Sequence, residues 1–199
     1  MRLWAALGAF FLAVGIAAHA LDELHGHPLR TRLSDRTLAG LAGAALLGAV
    51  GIGIAGIFVV SASLAPFVAA GAFLVCAYNL ELFGARFHTD LWFAAAWGAF
   101  PALTSFWANA LGIHSTGEAL AAVLVTAACF GLSIVQRRLS TPVRELRRST
   151  VAVSGEQRLA DGSARQLTAA SLAAPLDASL RALSASLVIL AAGLVAVRL

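Results

Sequence analysis

LWAALGAFFLAVGIAAHALDELHGHPLRTRLSDR, residues 3–36, joins three kinds of chain in one run. An apolar segment over about 3–21 carries no Asp, Glu, Lys or Arg. A polar knot of His19, Asp22, Glu23, His25 and His27 closes it, and Arg30, Arg32 and Arg36 follow. About 20 apolar residues in helical form cross the ~30 Å hydrocarbon core of a bilayer. The run therefore reads as a membrane span emerging at an interface. Ionisable side chains at a membrane boundary are costly to desolvate, so a cluster of them there is a functional-site hypothesis by default.

The composition extends this reading to the whole chain. Of 199 residues, 60% are hydrophobic and 12% charged, whereas a soluble domain carries about 25% charged residues. Mean hydropathy is +0.85. A lipid-exposed backbone must satisfy its own hydrogen bonds, so long apolar runs mean helices, and no β-barrel alternation is visible. The expected fold is an all-α integral membrane protein, a bundle of about six transmembrane helices over 3–21, 38–60, 64–83, 91–111, 117–136 and 182–198. Its organisation is a bundle over 1–136, a basic cytoplasmic segment over 137–181 and a C-terminal membrane helix over 182–199. Pro66 suits the first turn of the third span, and Pro101 predicts a kink in the fourth. The Gly- and Ala-filled stretch GLAGAALLGAVGIGIAG at 40–56 permits close helix approach. Arg2 before an apolar run resembles the start of a signal peptide. Polar His19 follows, without a small-residue cleavage site, so a retained helix is expected. Cys76 and Cys129 fall inside apolar runs and read as packing residues.

All 14 basic residues are arginine. Arg30, Arg32 and Arg36 lie in the first loop and Arg86 in the third. The fifth holds Arg137, Arg138, Arg144, Arg147, Arg148, Arg158, Arg165 and Arg181, and the loops near 61–63 and 112–116 hold none. The positive-inside rule makes the arginine-bearing face cytoplasmic and puts the N-terminus outside, in a multi-pass protein of the cell's inner (plasma) membrane. Arginines spread among loops are no nucleic-acid signal.

A second knot, ELFGARFHTD at 81–90, falls on the same face. His19, Asp22, Glu23, His27, Glu81, His88 and Asp90 can then converge on one cavity; the competing reading is two unrelated solvated loops. On a helix His19, Glu23 and His27 stand at i, i+4 and i+8, near one face. Asp22 and His25 offer a second pairing, while Gly26 and Pro28 are placed to end the helix. Imidazoles with carboxylates suit Zn, Fe or Mn, and carboxylates alone suit Mg. Asn79 and Glu81 close an apolar helix, where a buried carboxylate needs a partner. The candidates are Arg86 and a metal shared with His19.

The acidic cluster followed by HPLRTRLSDRTLAGLA, at 27–42, resembles the UbiA superfamily of intramembrane prenyltransferases. There an Asn/Asp-rich motif ends a helix and a basic loop with a Pro-Leu element follows. AYNLELFGARFHTDLWFAAAWGAFPAL, at 77–103, is similar to the family's paired fourth and fifth helices, with a tyrosine at a helix end and a short polar loop. The resemblance covers about residues 15–110. It implies transfer of an isoprenoid with Mg at the cytoplasmic face, with Asp22, Glu23 and Glu81 in catalytic positions. Arg30, Arg32, Tyr78, Asn79 and Arg86 would face the substrate. The chain departs from the pattern in carrying His19, Glu23 and His27 in the register of the family's Asn and Asp residues. It has no second DxxxD motif, Asp161 and Asp177 standing alone, and it has fewer spans.

Three functions remain open on the sequence. One is a UbiA-like enzyme acting on an isoprenoid or other lipid. Another is a membrane enzyme whose His19, Glu23, His27, Glu81 and His88 bind a transition metal that activates water or oxygen. The third is a non-catalytic membrane subunit that docks a membrane protein partner or forms a homo-oligomer. Over 137–181, Pro142 after Ser140 and Thr141 marks an expected helix start. Arg144, Arg147 and Arg148 then suit a basic amphipathic helix on anionic headgroups, or else a stop-transfer flank. GEQRLADGSARQ, at 155–166, reads as irregular polar chain. Trp92 and Trp107 read as interfacial anchors. Trp97 and Phe100 read as core packing or as the lining of a lipid channel.

Overall fold

The computed structural model describes residues 1–28 and 30–197. The chain divides into two compact units, Met1–Ile134 and Val135–Leu199. In the first, α1 spans Arg2–Gly26, α2 spans Asp35–Val59 and α3 spans Ala65–Asn79 after a 3₁₀ turn at Ala62–Leu64. Helix α4 runs over 90–110, and α5 begins at Thr116. Side-chain oxygens cap these starts by accepting orphan N–H groups. Ser34 Oγ accepts from Thr37 N–H at 3.2 Å, and Thr89 Oγ1 from Trp92 N–H at 3.3 Å. Pro66 lies in the first turn of α3, as its sequence position predicts.

Two helices are irregular. Residues Phe11–Ala18 of α1 and Ala95–Ala99 of α4 wind as π-helix. The second of these directly precedes Phe100-Pro101, where a proline has no N–H to return to the preceding turn. The expected disturbance at Pro101 takes the form of this wider turn.

Small side chains hold the unit together. Ala17, Ala18, Ala20 and Leu21 of α1 meet Leu38, Ala42 and Ala45 of α2 and Val75 of α3 in one buried cluster. Close approach of this kind replaces the hydrophobic effect as the means of joining helices in lipid. At Gly98 a Cβ would fall 2.5 Å from the Cys129 carbonyl oxygen and onto Ser133 Oγ, and at Gly53 it would fall 2.6 Å from Val68 Cγ2. Aromatic residues fill what remains. Phe100 meets Phe10 edge-on at 6.4 Å and Trp97 meets Tyr78 at 5.5 Å. Trp107 Nε1 donates to Ser63 Oγ at 2.9 Å.

Among the described residues, five helical stretches are long and apolar enough to cross a membrane: α1, α2, Ala62–Asn79, α5 and Ala169–Ala196. The chain is an all-α membrane protein. The expected fourth span is helical over about 30 Å, at ~1.5 Å per residue. It carries Asp90, Thr104, Ser105 and Asn109 and is not among the five.

The second unit departs from its expected layout. Helix α5 runs Thr116–Arg148 with Pro142 inside it, so no new helix starts at Ser140 or Thr141. Its 33 residues measure about 50 Å at ~1.5 Å per residue, well beyond a ~30 Å bilayer core. The arginines at its end therefore extend the helix past a single span. The polar stretch after it forms a hairpin, β1 (Glu156–Arg158) antiparallel to β2 (Ala164–Gln166), with Gln157 opposite Arg165. Its turn uses Asp161-Gly162, Gly162 having φ 85°. Ser163 donates to Asp161 Oδ1 from N–H at 2.9 Å and from Oγ at 2.7 Å. These bonds hold the Asp161 carboxyl below its usual range. Helix α6, Ala169–Ala196, starts in a capping box of Thr168 and Ser171. Its Asp177 pairs with Arg147. The span expected over 182–198 is the later part of this longer helix; its last residue, Arg198, lies with Leu199 outside the described residues.

Candidate functional site

The two polar knots meet. His25 Nε2, in the last turn of α1, stands 3.7 Å from Glu81 Oε2. His88 Nδ1 stands 3.8 Å from Glu81 Oε1. Glu81 thus has an imidazole against each oxygen, one from each knot. His88 Nδ1 also lies 3.0 Å from the Tyr78 carbonyl oxygen. A carbonyl only accepts, so Nδ1 carries a proton. The His88 ring stacks on Tyr78 at 4.6 Å, and the buried Tyr78 ring is wedged against Phe93 and Trp97.

An unusual backbone makes this arrangement. Glu81, Phe83, Gly84 and Ala85 all have positive φ, between 48° and 68°. This left-handed turn reverses the chain after α3, with Ala85 N–H on Glu81 O and His88 N–H on Ala85 O, both at 2.9 Å. His88 is thereby folded back over Tyr78 and beside Glu81. In the first knot His27 (φ 47°) ends α1 with its N–H on Glu23 O, and Arg30 (φ 52°) follows. Left-handed conformations cost non-glycine residues about 1–2 kcal/mol each. Among the described residues, the two knots hold every non-glycine residue with positive φ except Leu111. Strain of this kind collects at functional sites and persists only where the surroundings over-determine it.

Glu23 is 1% exposed. Its Oε1 accepts Thr31 N–H at 2.6 Å. The carboxylate anchors the segment bearing Arg30 and Arg32 to the end of α1. Asp22 is half-buried, while Arg30, Arg32, Arg86 and Asp90 are exposed. Asn79 is buried and donates Nδ2–H to the Val75 carbonyl at 2.7 Å, within its own helix.

The expected histidine ladder does not gather. His19 is exposed and its Nδ1 lies 2.9 Å from the Val14 carbonyl, five residues back along the π-wound part of α1. His27 stands past the helix end in a left-handed conformation, 4.0 Å from Asp35 Oδ1. Glu81 stands against His25 and His88. His25, which the sequence pairs with Asp22, is the residue missed. The signal for it was its place as the last imidazole before the helix-ending Gly26.

Among the described residues no three His, Cys, Asp or Glu side chains gather closely enough to enclose a metal ion. Magnesium does not require such a cage. One or two carboxylates and the oxygens of a substrate phosphate suffice for it, and half-exposed Glu81 and half-buried Asp22 are of that chemistry. Against known proteins, no family model, no curated protein and no solved structure matches this chain.

Proposed function

We propose that this chain is a UbiA-like membrane enzyme acting on the phosphate-bearing head of an isoprenoid or other lipid. The observation that carries the reading is the meeting of both knots at Glu81, at one end of an otherwise apolar bundle. Backbone strain confined largely to the same two knots supports it. On this reading the site lies at the cytoplasmic face of the inner membrane, because the arginines flank it. Arg30, Arg32 and Arg86 bind the phosphate oxygens through charge-assisted hydrogen bonds. Glu23 orients Arg30 and Arg32 by holding Thr31 N–H. His25 Nε2 and the Glu81 carboxylate take or return a proton at the reacting head. Magnesium, held by Glu81 and Asp22 with the substrate's own oxygens, would neutralise a departing diphosphate.

One observation favours a second chemistry. His88 donates from Nδ1 to a backbone carbonyl, the arrangement that fixes the other nitrogen of a metal-ligating histidine. His25 and the Glu81 carboxylate beside it are donor types that suit Zn, Fe or Mn, and the three side chains would have to draw together around an ion. The experiment is calorimetric titration of farnesyl diphosphate into the purified protein, with and without Mg, beside Glu81→Gln and elemental analysis of both proteins. Mg-dependent binding lost in Glu81→Gln is the expected result. Stoichiometric Zn, Fe or Mn that disappears in Glu81→Gln favours the second chemistry. Absence of both, with an unchanged variant, overturns the enzymatic reading in favour of a membrane subunit that docks a partner protein.

A further inference from the structure

Aromatic rings gather beside the reversal after α3. Phe87 meets Phe73 of α3 edge-on at 5.2 Å and Trp92 of α4 at 4.7 Å. Phe83 meets Phe73 at 6.2 Å and Phe87 at 5.9 Å. The cluster is not enclosed. Phe83 is 68% exposed and Phe73 44%, and Leu82 and Leu91 are exposed as well. Phe83 also holds φ 60°, a conformation that bulky side chains seldom adopt. The chain thus strains its backbone and still turns apolar surface outward.

The depth of the cluster follows from Phe73. The span Ala62–Asn79 has 18 residues, about 27 Å at ~1.5 Å per residue, against a hydrocarbon core of ~30 Å. Its whole length is needed to cross, so Asn79 lies near the edge of that core. Phe73 stands six residues before Asn79, about 9 Å further in. Side chains of a helix lean toward its N-terminus, which places the Phe73 ring deeper still. The Phe83 ring, 6.2 Å from it, therefore lies at least about 3 Å inside the end of the span. A loop leading into water would carry its side chains away from the helix end, whereas this one folds them back along the helix. Phe73 belongs to the surface that a spanning helix presents to lipid, and Phe83 and Phe87 continue that surface. Arg86, between them in sequence, is exposed, and its long side chain can keep the guanidinium among headgroups while its stem lies on apolar surface.

We infer that the reversal over 82–87 is embedded in the bilayer, with Phe83 among the acyl chains, Phe87 and Trp92 at the boundary and Arg86 at the lipid phosphates. The partner of this surface is the lipid leaflet, because the patch is continuous with the lipid-facing side of a span. Transfer of apolar surface out of water then offsets the strain at Phe83. The inference stands whether or not Glu81 has the function proposed above.

The test uses the full chain in vesicles of phosphatidylcholine and phosphatidylglycerol. A nitroxide is attached at Phe83→Cys, with Cys76→Ala and Cys129→Ala removing the other thiols. Its collisions are measured with oxygen, which concentrates in the bilayer, and with a water-soluble nickel chelate. The same label at Leu47, exposed in the middle of α2, is the lipid reference; at Asp161, in the hairpin turn, it is the water reference. The label at Phe83 should favour oxygen over nickel several-fold more than the label at Asp161, in the direction of Leu47. A preference for nickel like that at Asp161 would put the reversal in water and overturn the inference. Shielding from both reagents would mean that protein, such as a second copy of the chain, covers the patch, and would overturn it equally. Because a label at Phe83 alters the strained turn, the unaltered chain is tested as well. A carbene reagent confined to the bilayer should mark residues within 82–87, as located by mass spectrometry. Marks in the flanking helices with none in 82–87 would overturn the inference.

Discussion

Replacing Gly98 by alanine adds one methyl group at the closest contact between α4 and α5. That Cβ would lie 2.5 Å from the Cys129 carbonyl oxygen, where ordinary contact begins at 3.4 Å. The Ser133 hydroxyl, which it also meets, can rotate away, but a helical carbonyl cannot. One helix must therefore retreat by roughly the ~0.9 Å difference, and a gap of that size forfeits a quarter to a half of each dispersion well along the seam. Overpacking costs typically about 1–3 kcal/mol. Alanine returns about 0.5–1 kcal/mol by its better helix propensity. The net expectation is a loss of up to about 2.5 kcal/mol. Gly131→Ala, on α5 with nothing within 4 Å of its Cβ, is the same chemical change without the clash and should gain about 0.5–1 kcal/mol. Unfolding by SDS in mixed micelles, followed by tryptophan fluorescence, compares the two directly. Values for the two variants within about 0.3 kcal/mol of each other, the scatter of independent sites, would refute this account of the seam.

The knots carry the remaining expectations. Glu81→Gln should abolish Mg-dependent binding of farnesyl diphosphate, whereas Glu118→Gln, whose carboxylate only accepts from His114 N–H, should leave it unchanged in the same titration. Glu23→Ala should free the Thr31 amide and cost about 1–3 kcal/mol for a hydrogen-bond donor left without its partner, seen as faster hydrogen exchange across residues 30–34. Ala85→Gly should be neutral or stabilising by up to ~1 kcal/mol, since it relieves a left-handed alanine against the extra entropy of glycine; chemical or SDS unfolding reads the sign. Because Ser163 holds the Asp161 carboxyl low, its contribution to the hairpin is present above the ordinary carboxylate value. It is lost only as pH falls through the lowered one. The Asp161 carboxyl carbon shift against pH measures this, and Ser163→Ala should move the midpoint up.

Apolar length is an additive property of the chain, so the membrane class and most helices were legible without coordinates. Pro66 marked a helix start by local chemistry alone, and the structure uses it in that way. Pro142 misled because proline is tolerated both at a helix start and, at a cost, inside a long helix. The site was half legible. Glu81 and His88 were named, but the partner imidazole was not. The ladder of His19, Glu23 and His27 assumes an unbroken 3.6-residue period, and the π-winding before His19 and the left-handed His27 break it. The reversal after α3 is hidden further, because Phe83 and Ala85 are residues that seldom adopt positive φ.

That reversal places the candidate site of this chain at its helix ends. A bundle joined through alanine and glycine contacts brings its backbones close together and leaves little interior for polar side chains. Functional groups are then carried at helix ends, where loops are ordinarily mobile. Here the loops are fixed from both sides. Glu23 fastens the first knot through Thr31 N–H, and the Tyr78 carbonyl and ring fasten the second through His88. With both anchors in place, the left-handed residues between them have no relaxed alternative that keeps the same contacts. Glu81 is consequently presented to His25 by a strained but determined segment. Such preorganisation is what the role proposed for Glu81 requires.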